Sequence, residues 1–347
     1  MGKKKIPIGK YILTKIMRIL SIDGGGYLGL ATATFIKETE RHFGISFHEE
    51  FDMFCGTSTG SIIALALASG MTGAEITEKY ESLGKSVFKN RIPGTRFLRT
   101  LRSTVMAKYS NKPLRVALED TFKDLTIGDI QGSFNKHVLI TAFQVSSGKP
   151  RVFKTDHSID LTRDNKYLLR QVALASSAAP TYLPVVKLKS PMNGTTETYC
   201  DGGVFANHPA LLGYAEAVSH LGVPEENIKV LSLSTPRADL AEWESSQNIL
   251  RRFFLSRGLV FWGSKIFSVM IDSTSIIAHE TLRRLLAWNT PSPRYVRVQI
   301  NKPKGVDMDV TTKSATETLQ QIGNDLAYSN EIRNQISNLL ELEGGKS

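Results

Sequence analysis

Short runs of β-branched and aromatic residues alternate along this chain with longer stretches whose apolar positions recur every three or four residues. Met17–Ile22 is the first run, followed by a helical pattern over 28–42, a second run at 51–55 and a second helical pattern at 58–68. Further runs at 137–143, 197–200, 228–232 and 294–299 predict later strands, and 169–175 and 209–220 predict helices, the last ended by Gly222. Strands alternating with helices in this way predict an α/β fold, with a mainly parallel central sheet flanked by helices. No internal repeat is visible.

Composition changes this picture little. The chain has 347 residues, 41% hydrophobic and 22% charged, so a sizeable buried core is expected. Its longest apolar run, 62–68, falls short of the roughly 18 to 20 residues that a membrane-spanning helix needs. Lys3, Lys4, Lys5, Lys10 and Lys15 make a basic extension over 1–16, with no apolar segment behind them long enough for a secretory signal, and a cytoplasmic protein is expected. Cys55 and Cys200 each fall in a predicted strand, where cysteine behaves as a small hydrophobe, and the seven histidines show no ligand spacing, so neither a disulfide framework, a catalytic metal nor a cofactor is expected.

Chemistry is concentrated in three glycine-rich stretches. Gly56-Thr57-Ser58-Thr59-Gly60 lies between a predicted strand and a predicted helix. A serine on such a sharp turn has its hydroxyl exposed at a helix N-terminus, and the flanking glycines keep side chains out of the way, so Ser58 is the candidate nucleophile. Asp23-Gly24-Gly25-Gly26-Tyr27-Leu28-Gly29 follows the first strand, where uncovered N–H groups of Gly24, Gly25 and Gly26 suit the oxyanion of an acyl-transfer intermediate. Gly24, Gly26 and Gly29 also satisfy the G-x-G-x-x-G dinucleotide pattern, but Glu49, Glu50 and Asp52 come late for its acidic partner, and a cofactor reading leaves Gly56–Gly60 unexplained. The third stretch, Tyr199-Cys200-Asp201-Gly202-Gly203, ends a strand with an aspartate; alone it reads as a turn, and beside the other two it becomes the candidate base.

In this order the three stretches resemble the patatin-like phospholipases, α/β hydrolases that carry an Asp-Gly-Gly-Gly anion loop, a Gly-x-Ser-x-Gly elbow and a distal Asp-Gly-Gly. Ala178-Ala179-Pro180 with Tyr182 and Pro184 is similar to the family's segment upstream of that aspartate, so the likeness runs from about residue 17 to residue 209. The resemblance implies a patatin-like fold and a Ser58–Asp201 dyad working without histidine, with Gly24, Gly25 and Gly26 as the oxyanion hole. It also implies release of fatty acids from membrane phospholipids through an acyl-enzyme, by an enzyme held peripherally at the inner face of the membrane when active. Residues 17–210 would be the catalytic core, and 211–347 would complete the same domain. Two departures stand out: Leu28 occupies a place where the family commonly has arginine or lysine, and His208, treated as a loop histidine, replaces an asparagine of plant members.

Two segments differ from the rest. From Glu81 to Glu119 no acid intervenes, while Lys85, Lys89, Arg91, Arg96, Arg99 and Arg102 share the stretch with Phe88, Phe97 and Tyr109. Without a helix-turn-helix, RRM or zinc-finger pattern, nucleic acid is not an expected partner. Some bacterial patatin-like enzymes are antiphage effectors switched on by cyclic dinucleotides, and cations interleaved with aromatic rings suit such an activator. The second segment, about 245–290, is amphipathic and reads equally as core or as a lid or membrane-facing element. The alternative to an enzyme is a nucleotide- or membrane-binding protein with a vestigial hydrolase site, and a homo-oligomer is compatible with everything above.

Overall fold

Strands β1 (Met17–Ile22) and β2 (Met53–Thr57) are almost uniformly apolar because both of their faces are covered, as in parallel sheets packed between helices. Leu20, Ile22 and Phe54 point to one side, Met17, Ile19, Met53 and Cys55 to the other, and each set enters a different hydrophobic cluster. The computed structural model describes residues 15–88, 107–157, 163–236, 265–287, 293–303 and 305–342. Residues 1–14 of the N-terminal extension, 89–106 of the basic segment, and 245–264 and 288–290 of the amphipathic segment lie outside the described residues.

One eight-stranded sheet organises the molecule. It adds β3 (His137–Gln144), β4 (Lys149–Lys154), β5 (Val186–Lys189), β6 (Thr196–Asp201), β7 (Ile228–Leu233) and β8 (Tyr295–Val298) in the order β5-β6-β3-β2-β1-β7-β8, with β4 paired to β3. Pairings among β3, β2, β1, β7 and β8 are parallel, whereas β4 and β6 run antiparallel to β3, and β5 to β6. The mainly parallel sheet expected from the alternation is present, and β7 and β8 bring the C-terminal half of the chain into it.

Helices α1 (Gly29–Phe43), α2 (Thr59–Ala68), α3 (Gly73–Val87) and α4 (Leu169–Ser176) bury apolar faces in the larger cluster. The short α5 (Gly203–Ala206) follows β6, and α6 (Ala210–Ser219) and α7 (Lys265–Leu282) pack on the opposite face of the sheet. Helix α8 (Lys313–Ala327) returns to the first face. Caps mark the ends where side chains allow: Thr72 and Glu75 form a reciprocal box at the start of α3, and Gly44 ends α1 with φ 65°.

The boundaries on either side of the elbow differ from expectation. The second strand starts at Met53 rather than residue 51, because Phe47–Glu50 forms a helical turn that Phe51 caps. The helix after the elbow starts at Thr59, with Ser58 as its N-cap. Strands β4 and β5 were not anticipated: β4 contains Pro150 and three cations, which only an edge strand accommodates, and β5 has four residues. No helix among the described residues is long and apolar enough to cross a membrane.

Candidate active site

β3 brings the candidate nucleophile and base together. β4 occupies one of its edges from Leu139 to Gln144, so β2 and β6 must share the other. Thr57 of β2 pairs with Thr141, and Asp201 of β6 pairs with the next residue, Ala142. Because β2 is parallel to β3 and β6 antiparallel, their C-terminal ends point at each other, and Ser58 and Asp201 meet. The junction is tight: the Thr57 hydroxyl lies 2.7 Å from that of Thr141 and donates to the Ala206 carbonyl at 2.6 Å. A Cβ on Gly202 would fall 2.2 Å from the Thr141 hydroxyl oxygen, so only glycine lets the chain pass there.

At the elbow Ser58 has φ 54° and ψ −133°, a backbone conformation costly to any residue with a Cβ. Its surroundings enforce it. The Ser58 N–H donates to Ser176 Oγ at 2.9 Å, and its carbonyl accepts from the Ser61 N–H at 2.9 Å and the Ser61 hydroxyl at 2.5 Å. Gly56 and Gly60 allow α2 to pack directly on the sheet, since a Cβ on Gly60 would sit 2.5 Å from the carbonyl oxygens of Ile22 and Asp23. Ser58 remains 8% exposed and opens on a cavity of about 230 Å³, which Asp201, Gly24, Gly25 and Gly26 also line.

Asp201 is 1% exposed. Burial pushes its carboxyl up to about 7, against the opposing pull of hydrogen bonds donated by the Ser58 hydroxyl and by the Gly203 N–H at 2.7 Å. A carboxylate of that basicity, in contact with a hydroxyl, is equipped to take its proton. Cys200, next to it, is also lifted by burial, to about 11, and stays a thiol.

The anion loop lies against this pair. A Cβ on Gly24 would come within 2.5 Å of the Ser58 Cβ, and Gly26 has φ +60° with the Met308 carbonyl oxygen 2.5 Å from where its Cβ would be. Side chains from distant parts of the chain fix the loop's peptide planes. The Gly24 carbonyl accepts from Thr235 at 2.6 Å and from the Asn207 amide at 3.3 Å, and the Gly26 carbonyl accepts from Tyr80 at 2.6 Å and Thr59 at 3.2 Å. The Tyr27 N–H donates to the Met308 carbonyl at 2.7 Å. At the head of the loop, buried Asp23 accepts from Arg297 at 2.6 Å, and the same guanidinium donates to Ser232 at 2.7 Å. Burial alone would pull Arg297 down, yet the Asp23 charge and hydrogen bond hold it above its ordinary value.

The patatin-like phospholipase family model matches residues 20–214. The chain belongs to the patatin-like phospholipase family. As a member it is a lipid acyl hydrolase. It is 30% identical over 318 residues to a cGAMP-activated phospholipase of Pseudomonas aeruginosa, covering 89% of this chain and 87% of that protein. To a cGAMP-activated phospholipase of Escherichia coli it is 29% identical over 342 residues, covering 92% and 91%. Among solved structures, VipD from Legionella pneumophila aligns with a TM-score of 0.46 at 14% identity, over 94% of this chain and 67% of that one.

Within this patatin-like phospholipase the two departures have simple surroundings. Leu28 is buried in the short turn after the glycines and lines the cavity, presenting a methyl surface where a cation was expected. His208 lies in a loop as expected but is buried: its Nε2 is 2.9 Å from the Ser232 hydroxyl and its Nδ1 is 3.4 Å from the Ser275 carbonyl, so its ring nitrogens engage groups outside the Ser58–Asp201 pair. Sequence reasoning missed Thr235, Arg297 and Met308, which hold the anion loop from beyond residue 214. Only the Ser-Thr-Pro ending of the β7 run hinted at a loop near Thr235.

Proposed function

We propose that the chain releases fatty acids from membrane phospholipids through a Ser58–Asp201 dyad. Ser58 attacks the ester carbonyl as Asp201 accepts its proton; the Gly24–Gly26 amides hold the oxyanion; the protonated Asp201 then returns the proton to the leaving lysophospholipid oxygen. In the second step Asp201 takes a proton from water as it attacks the acyl-enzyme, and returns it to Ser58 Oγ as the bond to the acyl group breaks and the fatty acid leaves. The observation that carries this reading is the end-to-end meeting of β2 and β6 on one edge of β3, with the Ser58 hydroxyl bonded to a carboxylate whose basicity burial has raised.

Residues 17–210 form the catalytic core in this reading, and 211–347 complete the same domain, consistent with β7 and β8 joining its sheet. A cyclic dinucleotide switches the enzyme on, and the setting is antiphage defence from the inner face of the membrane. Support for the switch comes from the two relatives named as cGAMP-activated, which align over nine-tenths of the chain, and from the basic stretch with interleaved aromatic residues.

The test is fatty-acid release from vesicles of bacterial phospholipids by wild type, Ser58→Ala and Asp201→Asn, each with and without a panel of cyclic dinucleotides. Wild type should release fatty acid with one nucleotide, and each variant should lose about 1,000-fold or more. A Ser58→Ala protein as active as wild type, or a wild type inert under every condition, would overturn the proposal.

A further inference from the structure

Nine large hydrophobic side chains stand exposed among the described residues, and four of them, Met270, Ile276, Ile277 and Leu285, lie on α7 and the turn that continues it. Of the other five, Val116 lies on the helix Lys112–Phe122 and Val145, Val185, Met192 and Tyr328 lie in loops, where single exposed apolar residues are common. Four on one helix form a patch of the kind that marks an interaction surface. Ile276 and Ile277 are the most exposed of all, at 61% and 65%.

The position of this helix identifies what covers the patch. Ser268, Ile271 and Asp272 line the cavity that contains Ser58, and Ser275, Ala278 and Leu282 continue the same face into the protein. Met270 and Ile277, two helical turns apart, project from the other side together with Ile276. One helix thus walls the cavity with its inner face and offers aliphatic side chains with its outer face. The substrate of a phospholipase resides in a bilayer, so the cavity must be brought against a lipid surface for an ester to enter. Arg284 and Arg283, the latter paired with Glu280 at 2.9 Å, stand exposed beside Leu285, and the chain carries a formal net charge of +10, which suits an anionic leaflet.

We infer that the outer face of α7, with Met270, Ile276, Ile277 and Leu285, inserts into the headgroup–acyl boundary of an anionic phospholipid bilayer and sets the Ser58 cavity against it. This rests on the phospholipase reading above for its purpose, but the binding itself needs no hydrolysis and is measured without it.

The experiment is co-sedimentation of the Ser58→Ala protein with vesicles of phosphatidylethanolamine and phosphatidylglycerol, compared with the same protein carrying Ile276→Glu and Ile277→Glu, and with Val116→Glu as a control at an exposed apolar site on another helix. The double change should weaken partitioning about tenfold or more, the scale set by two isoleucines no longer buried in lipid, and Val116→Glu should leave it unchanged. With Ser58 restored, the double variant should lose vesicle hydrolysis while cleaving a soluble short-chain ester at the wild-type rate, which also certifies its fold. An environment-sensitive dye on Ile277→Cys, the native Cys55 and Cys200 being buried, should shift to the blue on adding vesicles. Absence of vesicle binding by the Ser58→Ala protein, equal losses in the double variant and the Val116→Glu control, or an unshifted dye would overturn the inference. So would a wild-type dimer that Ile276→Glu and Ile277→Glu dissociate without changing vesicle binding, which would assign the patch to a second copy of the chain. Failure of the catalytic reading would appear elsewhere, as ester hydrolysis that does not depend on Ser58.

Discussion

The chain carries Asp-Gly-Gly at the end of two strands, Asp23-Gly24-Gly25 after β1 and Asp201-Gly202-Gly203 at the end of β6, and the two aspartates have opposite surroundings. Both are almost fully buried. Asp23 faces the guanidinium of Arg297, a permanent cation 2.6 Å away. Asp201 is held by a hydroxyl and one amide, which offset only part of the cost of burying a charge, and its carboxyl rises to about 7. The same tripeptide therefore holds an ion pair where a cation is supplied and, where it is withheld, a carboxyl whose proton affinity burial has raised. A motif sets backbone geometry, whereas the partner arriving from elsewhere in the fold decides what surrounds the carboxyl.

The largest effect that would test this contrast comes from removing the cation. Arg297→Met leaves Asp23 buried without its main partner and should cost about 3–5 kcal/mol, while adding Asp23→Asn should recover most of the loss; urea denaturation of the two proteins measures both. A single variant as stable as the double would break the ion-pair reading. Next in size is the acid limb of hydrolysis. With Asp201 as base, activity should fall roughly tenfold for each pH unit below about 7, as the carboxyl takes up a proton. A flat profile from pH 5 to 8 would remove Asp201 from the chemistry.

The smallest effect is on stability. The folded value of Asp201 is raised from 3.8 to about 7, so the native protein binds more protons than the unfolded chain between those values. The favourable contribution of this group is complete below pH 3.8 and is lost as the pH rises through about 7. Asp201→Asn removes the buried charge and should therefore stabilise the protein at pH 8 by about 1–3 kcal/mol, with the difference shrinking towards pH 4; thermal denaturation at the two pH values compares them. A variant less stable at pH 8 than at pH 4, relative to wild type, would reverse the sign argued here.

What could be read from the sequence follows the same division. The candidate Ser58 was legible from local pattern, a strand, a small-residue turn and a helix, whereas Asp201, whose stretch alone reads as a turn, was legible only beside the other two motifs. The parallel strands were legible because burial on both faces leaves continuous apolar runs. Thr235, Met308 and Arg297 were not, because each acts on the anion loop through a long-range contact that no local periodicity encodes. β4 escaped notice for a related reason: its cations and Pro150 read as a loop, and only its place at a sheet edge makes them compatible with a strand. The direction of β6 was hidden too, and that reversal is what aims Asp201 at Ser58.

The abutting of β2 and β6 also bears on when the candidate site can assemble. During synthesis the segment with Ser58 emerges early, but its partner strand emerges long afterwards, and the groups that fix the anion loop come later still. Pairings so distant in sequence form late in folding, after long loops have closed. A nascent or half-folded chain therefore holds Ser58 without Asp201, beside a glycine loop without its restraints. Under the proposed mechanism, hydrolysis would therefore wait until the sheet is complete.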